Sequence, residues 1–151
     1  MRLYSLKRKQ VVNKPPVEVF DFFSKPENLA RITPSNMGFN TLTPSPIVMR
    51  TGTVIDYTIK ILGFSVHWRT LISSFDPPRS FTDEQLKGPY SIWHHKHQFE
   101  KTENGTFIKD NVTYALPFGF LGRIVHTLFV KRQLNHIFDY RFTVIKEILS
   151  R

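Results

Sequence analysis

Two histidines, two aspartates and a tyrosine are the residues best equipped for chemistry, and the sequence gathers them onto neighbouring strands. Residues 91–101 alternate in polarity, so Trp93, His95, His97 and Phe99 share one face, with His94, Lys96 and Gln98 on the other. A hairpin turn at 87–90 sets Asp83 opposite His95, Gln85 opposite Trp93, and Phe81 near His97. A two-residue Asn104-Gly105 turn sets Asp110 opposite Phe99 and diagonal to His97, with Tyr114 opposite His95. A slip of one residue would carry each pair to the opposite face. The apolar content of this face turns it inward, with Asp83, Gln85, Trp93, His95, His97, Asp110 and Tyr114 on it.

Buried carboxylates and imidazoles need partners, and these can satisfy one another as a structural polar network. The same set can equally form the polar end of an apolar cavity, orienting a hydroxyl, carbonyl or carboxylate of a ligand. Two His at i and i+2, with Asp83 or Asp110, also match a two-His-plus-carboxylate metal pattern, but the spacing is common and no metal or cofactor is expected. As catalysts, His95 or His97 with Asp110 would form a general base, and Tyr114 would polarise a carbonyl. The chain has no nucleophile elbow, no Gly-rich phosphate loop and no Cys, which excludes thiolate chemistry, disulfides and iron–sulfur clusters.

The elements that must position these residues follow from periodicity and punctuation. Residues 2–12 alternate loosely, placing Tyr4, Leu6 and Val12 on one side of a first strand. Pro15-Pro16 end it, and a short helix over 17–24 precedes a second that Pro26 opens. A short extended piece follows at 39–42. From Thr51 the period becomes two, with Ile55, Tyr57, Ile59 and Ile61 on one face, then Val66, Trp68, Thr70 and Ile72 after Gly63. Strands over 79–86, 91–101 and 106–116 complete an antiparallel meander. Residues 120–149 are helical in two parts, with one stripe at Leu121, Ile124, Val125 and Leu128. The other runs through Leu134, Ile137, Phe138, Ile145 and Ile148. The stripes lie about half a turn apart at ~100° per residue, so a break is expected near 130–133.

The chain has 151 residues, 40% of them hydrophobic and 22% charged, which is enough for the core of one domain. The Phe content, 14 residues, suits a lined cavity as well as a packed core. No apolar run approaches the ~20 residues of a membrane span, and the first residues lack the apolar stretch of a secretory signal, so a cytoplasmic location is expected. The net charge is +9, and the excess sits in residues 1–14 and 117–151, the middle being neutral. Such a basic face can solvate the protein or dock it transiently on an anionic membrane. Nucleic acid is a poorer fit, because Lys131-Arg132 is a short pair and no aromatic platform accompanies it.

The segments Pro16-Val17-Glu18-Val19-Phe20-Asp21-Phe22-Phe23 and Pro26-Glu27-Asn28-Leu29 resemble the opening helix pair of the helix-grip SRPBCC superfamily. That superfamily includes START domains, Bet v 1-type allergens and polyketide cyclase-like proteins. The run Phe81-Thr82-Asp83-Glu84-Gln85-Leu86, continuing into Trp93-His94-His95-Lys96-His97-Gln98-Phe99, is similar to its bacterial ligand-binding subgroup, as are Asp110, Tyr114 and Leu116-Pro117-Phe118-Gly119. The resemblance spans essentially the whole chain and implies one α+β domain over residues 1–151. Its curved antiparallel sheet would wrap round a long C-terminal helix, with two short helices after the first strand. Between sheet and helix it implies a cavity for a hydrophobic or amphipathic small molecule, lined by Phe20, Tyr57, Ile59, Trp68, Phe138 and Phe142. The polar set Asp83, Gln85, Trp93, His95, His97, Asp110 and Tyr114 would orient the ligand. The alternative is a cyclase or dehydratase using His95, His97, Asp110 and Tyr114.

Overall fold

A computed structural model describes residues 1–150. Strand β1 (Tyr4–Val12) leads into helix α1 (Pro16–Phe23), and two 3-10 turns, Pro26–Ile32 and Ser35–Met37, follow. The short strand β2 (Asn40–Thr41) precedes a meander of β3 (Val54–Ile61), β4 (Phe64–Asp76), β5 (Ser80–Lys87), β6 (Ile92–Thr102) and β7 (Gly105–Ala115). Helix α2 (Gly119–Val125), a π turn (His126–Val130) and helix α3 (Lys131–Leu149) run on without interruption. The seven strands form one antiparallel sheet in the order β1-β7-β6-β5-β4-β3-β2. The expected α+β helix-grip architecture is therefore the one observed.

The sheet must curl to cover a helix, and β4 supplies part of the bend. Its register with β5 shifts between Arg69 and Thr70 and again between Ile72 and Ser74. Such irregularities tighten the local twist. On the concave side, α3 presents Leu134, Phe138, Arg141, Ile145 and Leu149 at steps of four, three, four and four, one stripe of an α-helix. At one end, α1 seals the sheet: Phe20 packs at 5.3–5.9 Å against the rings of Phe75, Phe81 and Phe99.

Two expectations are corrected. The helical discontinuity falls at His126–Val130 instead of 130–133. Its cause is the inward row Gly122, His126, Val130, Leu134 and Phe138, spaced by four residues. A regular α-helix drifts by ~40° over each such step, and the wider π turn absorbs part of that drift. The stripe at Leu121, Ile124, Val125 and Leu128 consequently faces outward, with Leu121 65% and Leu128 70% exposed.

The β6–β7 hairpin differs by two residues. Glu103 and Asn104 form its loop, Thr102 pairs with Gly105, and Asp110 comes opposite His97, with Tyr114 opposite Trp93. Gly105 lies within the strand, where an added Cβ would collide with the Val12 carbonyl. Glycine is needed there for the close approach of β1, not for the turn.

Candidate functional site

The parity of β5, β6 and β7 places Asp83, His95, His97 and Asp110 on the concave face, as the alternation requires. The imidazoles of His95 and His97 stack with centroids 3.6 Å apart. Asp83 lies across the backbone from His95, and Asp110 across from His97, yet the short contacts run diagonally. His95 Nε2 meets Asp110 Oδ1 at 2.8 Å, and His97 Nε2 meets Asp83 Oδ2 at 2.6 Å. The directly opposed contacts are longer, 3.7 Å from His95 Nδ1 to Asp83 and 3.4 Å from His97 Nδ1 to Asp110. Every ring nitrogen of the pair thus faces a carboxylate. Phe81 stacks on His97 at 4.1 Å and closes the network from below.

Electrostatics separate the two histidines. Burial would depress both; His95 stays below its ordinary value, pushed further by its charged neighbour His97. For His97 the hydrogen bonds to Asp110 and Asp83 outweigh burial and raise it. Burial would raise the carboxyl of Asp110, but its bonds to His95 and His97 hold it far below the carboxylate range. Asp83 is likewise lowered against its own burial, by the charge of His95 and the bond to His97. A buried network with paired ions of both signs results.

Beside this network lies a cavity of about 180 Å³. Among the expected residues, Tyr57, Ile59, Trp68, Asp83, Trp93, His95, His97 and Phe138 line it. Five others do not. Phe20 is buried in the aromatic cluster under α1. Phe142 is 45% exposed, one helical step past the inward Arg141. Gln85 braces the β5–β6 loop, donating to the Tyr90 carbonyl at 2.6 Å and accepting from its N–H at 3.0 Å. The β5–β6 ladder ends at Glu84 and His94, so the expected pairing of Gln85 with Trp93 is replaced by this side-chain clasp. Asp110 stands behind the histidines. Tyr114 turns away, its hydroxyl 2.7 Å from His126 Nε2, and Tyr4 stacks on that imidazole at 3.5 Å.

Sequence reasoning missed Arg141. It lines the cavity and stacks over Phe138 at 4.9 Å, and its Nε is buried with no hydrogen-bond partner among the described residues. Burial lowers its pKa, partly offset through space by Asp110 and Asp83. The indole N–H of Trp68, in the same cavity wall, is also buried and unpartnered. A buried donor left unmet costs about 1–3 kcal/mol. The 141–145–149 spacing with Leu134 and Phe138 was the available signal: it puts Arg141 on the apolar stripe.

Asp83, His95 and His97 hold donor atoms within 4.8 Å of one another, close enough for a shared ion. The 2.6 Å separation of His97 from Asp83 is a hydrogen bond, however, shorter than the ~3.3 Å between two donors at ~2.0 Å on one tetrahedral ion.

No family model and no curated protein matches the sequence. Solved structures share the fold at low identity. TTHA0849 from Thermus thermophilus superposes with a TM-score of 0.75 at 14% identity, covering 95% of each chain. Ginseng major latex-like protein 151 from Panax ginseng gives 0.71 at 12% identity, covering 99% of each. The di-domain ARO/CYC StfQ from the steffimycin biosynthetic pathway gives 0.73 at 11% identity, over 97% of this chain and 51% of that one. The common feature is the helix-grip fold.

Proposed function

We propose that this chain, an SRPBCC-type helix grip in fold, binds a hydrophobic or amphipathic small molecule between its sheet and its C-terminal helix. The observation that carries the reading is the cavity itself. Apolar groups such as Ile55, Ile59, Ile72, Leu134 and Phe138 line most of it, and the Asp–His network and Arg141 give it a polar end. A volume near 180 Å³ exceeds the ~150 Å³ in which an apolar protein cavity holds benzene. Such a void admits a flat fused-ring system or a short acyl segment.

Titration with neutral 1-aminoanthracene tests this. A saturable one-to-one fluorescence rise is expected, with a higher Tm in the presence of probe. Ile59→Trp, which fills the cavity, is expected to weaken binding about tenfold or more, checked on protein of native circular dichroism. Wild-type protein that gives no fluorescence rise would defeat the reading.

A cyclase or dehydratase is the second reading, favoured by two histidines in the cavity wall and by the shared fold with StfQ. Against a general base, each imidazole nitrogen already faces a carboxylate. Exchange of deuterium into an aryl ketone at the carbon next to its carbonyl, in heavy water with the protein, would support the enzyme; recovery of unlabelled ketone supports binding alone.

The outward stripe of α2 and the π turn gives the protein a second partner surface in our reading, an anionic membrane. Phe120, Leu121, Val125 and Leu128 are exposed there, alongside Arg123, Lys131 and Arg132. No acidic residue occurs between positions 117 and 138. Exposed apolar groups with cations only beside them complement anionic headgroups.

A further inference from the structure

We propose that the ligand of this cavity carries an anionic, acceptor-bearing head group, a carboxylate in the simplest case, seated on the guanidinium of Arg141 and the indole N–H of Trp68. The inference rests on the cavity-binding reading and names the ligand class.

Hydrogen-bonding capacity in the cavity wall is met unevenly. Asp83 Oδ2 and Asp110 Oδ1 are each bonded to a histidine Nε2, and the same two oxygens lie 3.4–3.7 Å from the histidine Nδ1 atoms. The hydroxyl of Tyr57 accepts from the Thr70 hydroxyl, 3.4 Å away. What remains buried and unpartnered among the described residues is Trp68 Nε1 and Arg141 Nε, both carried by residues that line the cavity. Indole and guanidinium groups donate and never accept. A ligand that packs against these two side chains gains most by bringing acceptor oxygens to them.

Charge narrows the class further. Arg141 forms no ion pair among the described residues; its neighbour is the ring of Phe138. The two aspartates are instead bonded to the histidines, and His97, raised by those bonds, offsets part of their charge. The guanidinium is thus the cation not claimed at short range. A planar carboxylate suits its fork of donors. The rest of the ligand, among isoleucines and aromatic rings, must be apolar and compact. The class is a small aromatic or short-chain acid.

Competition against bound 1-aminoanthracene tests the inference with two probes of similar shape, naphthalene-2-carboxylate and 2-ethylnaphthalene. Wild-type protein is expected to prefer the acid by about tenfold or more, the scale of a charge-assisted hydrogen bond. Arg141→Met is expected to abolish that preference while keeping the affinity for 2-ethylnaphthalene. Trp68→Phe should lose part of it, and Arg141→Lys, which keeps the charge without the fork, should fall between. If Arg141→Met does not fold, the wild-type preference and the Lys and Phe variants decide. The inference is overturned if wild type takes the hydrocarbon as tightly as the acid, if the acid fails to displace the probe, or if the preference survives in Arg141→Met. In those cases probe binding leaves the cavity reading intact. Failure of 1-aminoanthracene itself to bind removes both.

Discussion

His95 and His97 stack on each other and share two carboxylates, yet they respond to pH in opposite directions. His97 is raised above its ordinary 6.5 despite burial, through its bonds to Asp110 and Asp83, so the folded protein holds that proton more tightly than the unfolded chain. Its contribution to stability is complete below 6.5 and is lost as pH rises through its folded value. His95 is lowered from 6.5, mainly by burial and then by His97, so its neutral form is the folded one and stability declines as pH falls below 6.5. The depressed aspartates contribute fully above 3.8 and lose their contribution as acid protonates them below it. Stability should therefore peak near neutrality and fall on both sides. Urea unfolding of His97→Gln is expected to remove the decline in stability above pH 6.5 and to cost about 1–3 kcal/mol at neutral pH. An unchanged alkaline slope would show that His97 does not hold the extra proton. The inward placement of both histidines and of Asp83 was legible from alternation alone. That of Arg141 was signalled only by its helical spacing from Phe138 and Ile145, and a cation on a helix reads as solvated until the opposing sheet is known.

At the level of elements, period two in β3 to β7 made the meander readable, since Ile55, Tyr57, Ile59 and Ile61 admit no helical face. Parity survived even where register did not: a shift of two residues keeps every side chain on its face. The shift arose because Asn104-Gly105 has the chemistry of a hairpin turn, while Gly105 is held back in β7 by the crossing backbone of Val12. The collision partner is ninety-odd residues away in sequence and invisible to a local reading. Gly105→Ala is accordingly expected to destabilise the protein by about 1–3 kcal/mol through displacement of β1, measured by urea unfolding. Asn104→Ala, in the loop, should cost less. Equal losses would mean that the turn, and not the contact, makes the demand. The helix shows a similar limit. Two apolar stripes implied a break between two buried faces, whereas Gly122 and His126 take the inner face and leave Leu121 and Leu128 outside. Gly122 can do so because it packs on the Pro117 carbonyl, where a Cβ would collide.

Over the whole molecule, the basic excess acquires a position: Arg123, Lys131 and Arg132 flank the exposed apolar stripe. Sedimentation with vesicles of phosphatidylcholine containing about 30% phosphatidylglycerol as the anionic lipid (an assay composition, about the level that gives a surface potential) is expected to pull down the protein at low salt. Binding should be largely lost once added salt shortens the Debye length to ~3 Å, near 1 M. Leu121→Asp combined with Leu128→Asp should abolish binding without loss of Tm, since neither residue is buried. Absence from the pellet at low salt would exclude the membrane. The sheet order carries a further consequence, for synthesis. In the ladder β1 has β7 as its neighbour, Arg8 pairing with Asp110 about a hundred residues later, and at 5–20 residues per second the ribosome needs roughly 5–20 s to supply it. Throughout that interval the first strand has no partner, so its alternating basic residues, Lys7 and Lys9 among them, guard an open edge on the nascent chain against pairing with its neighbours on the polysome.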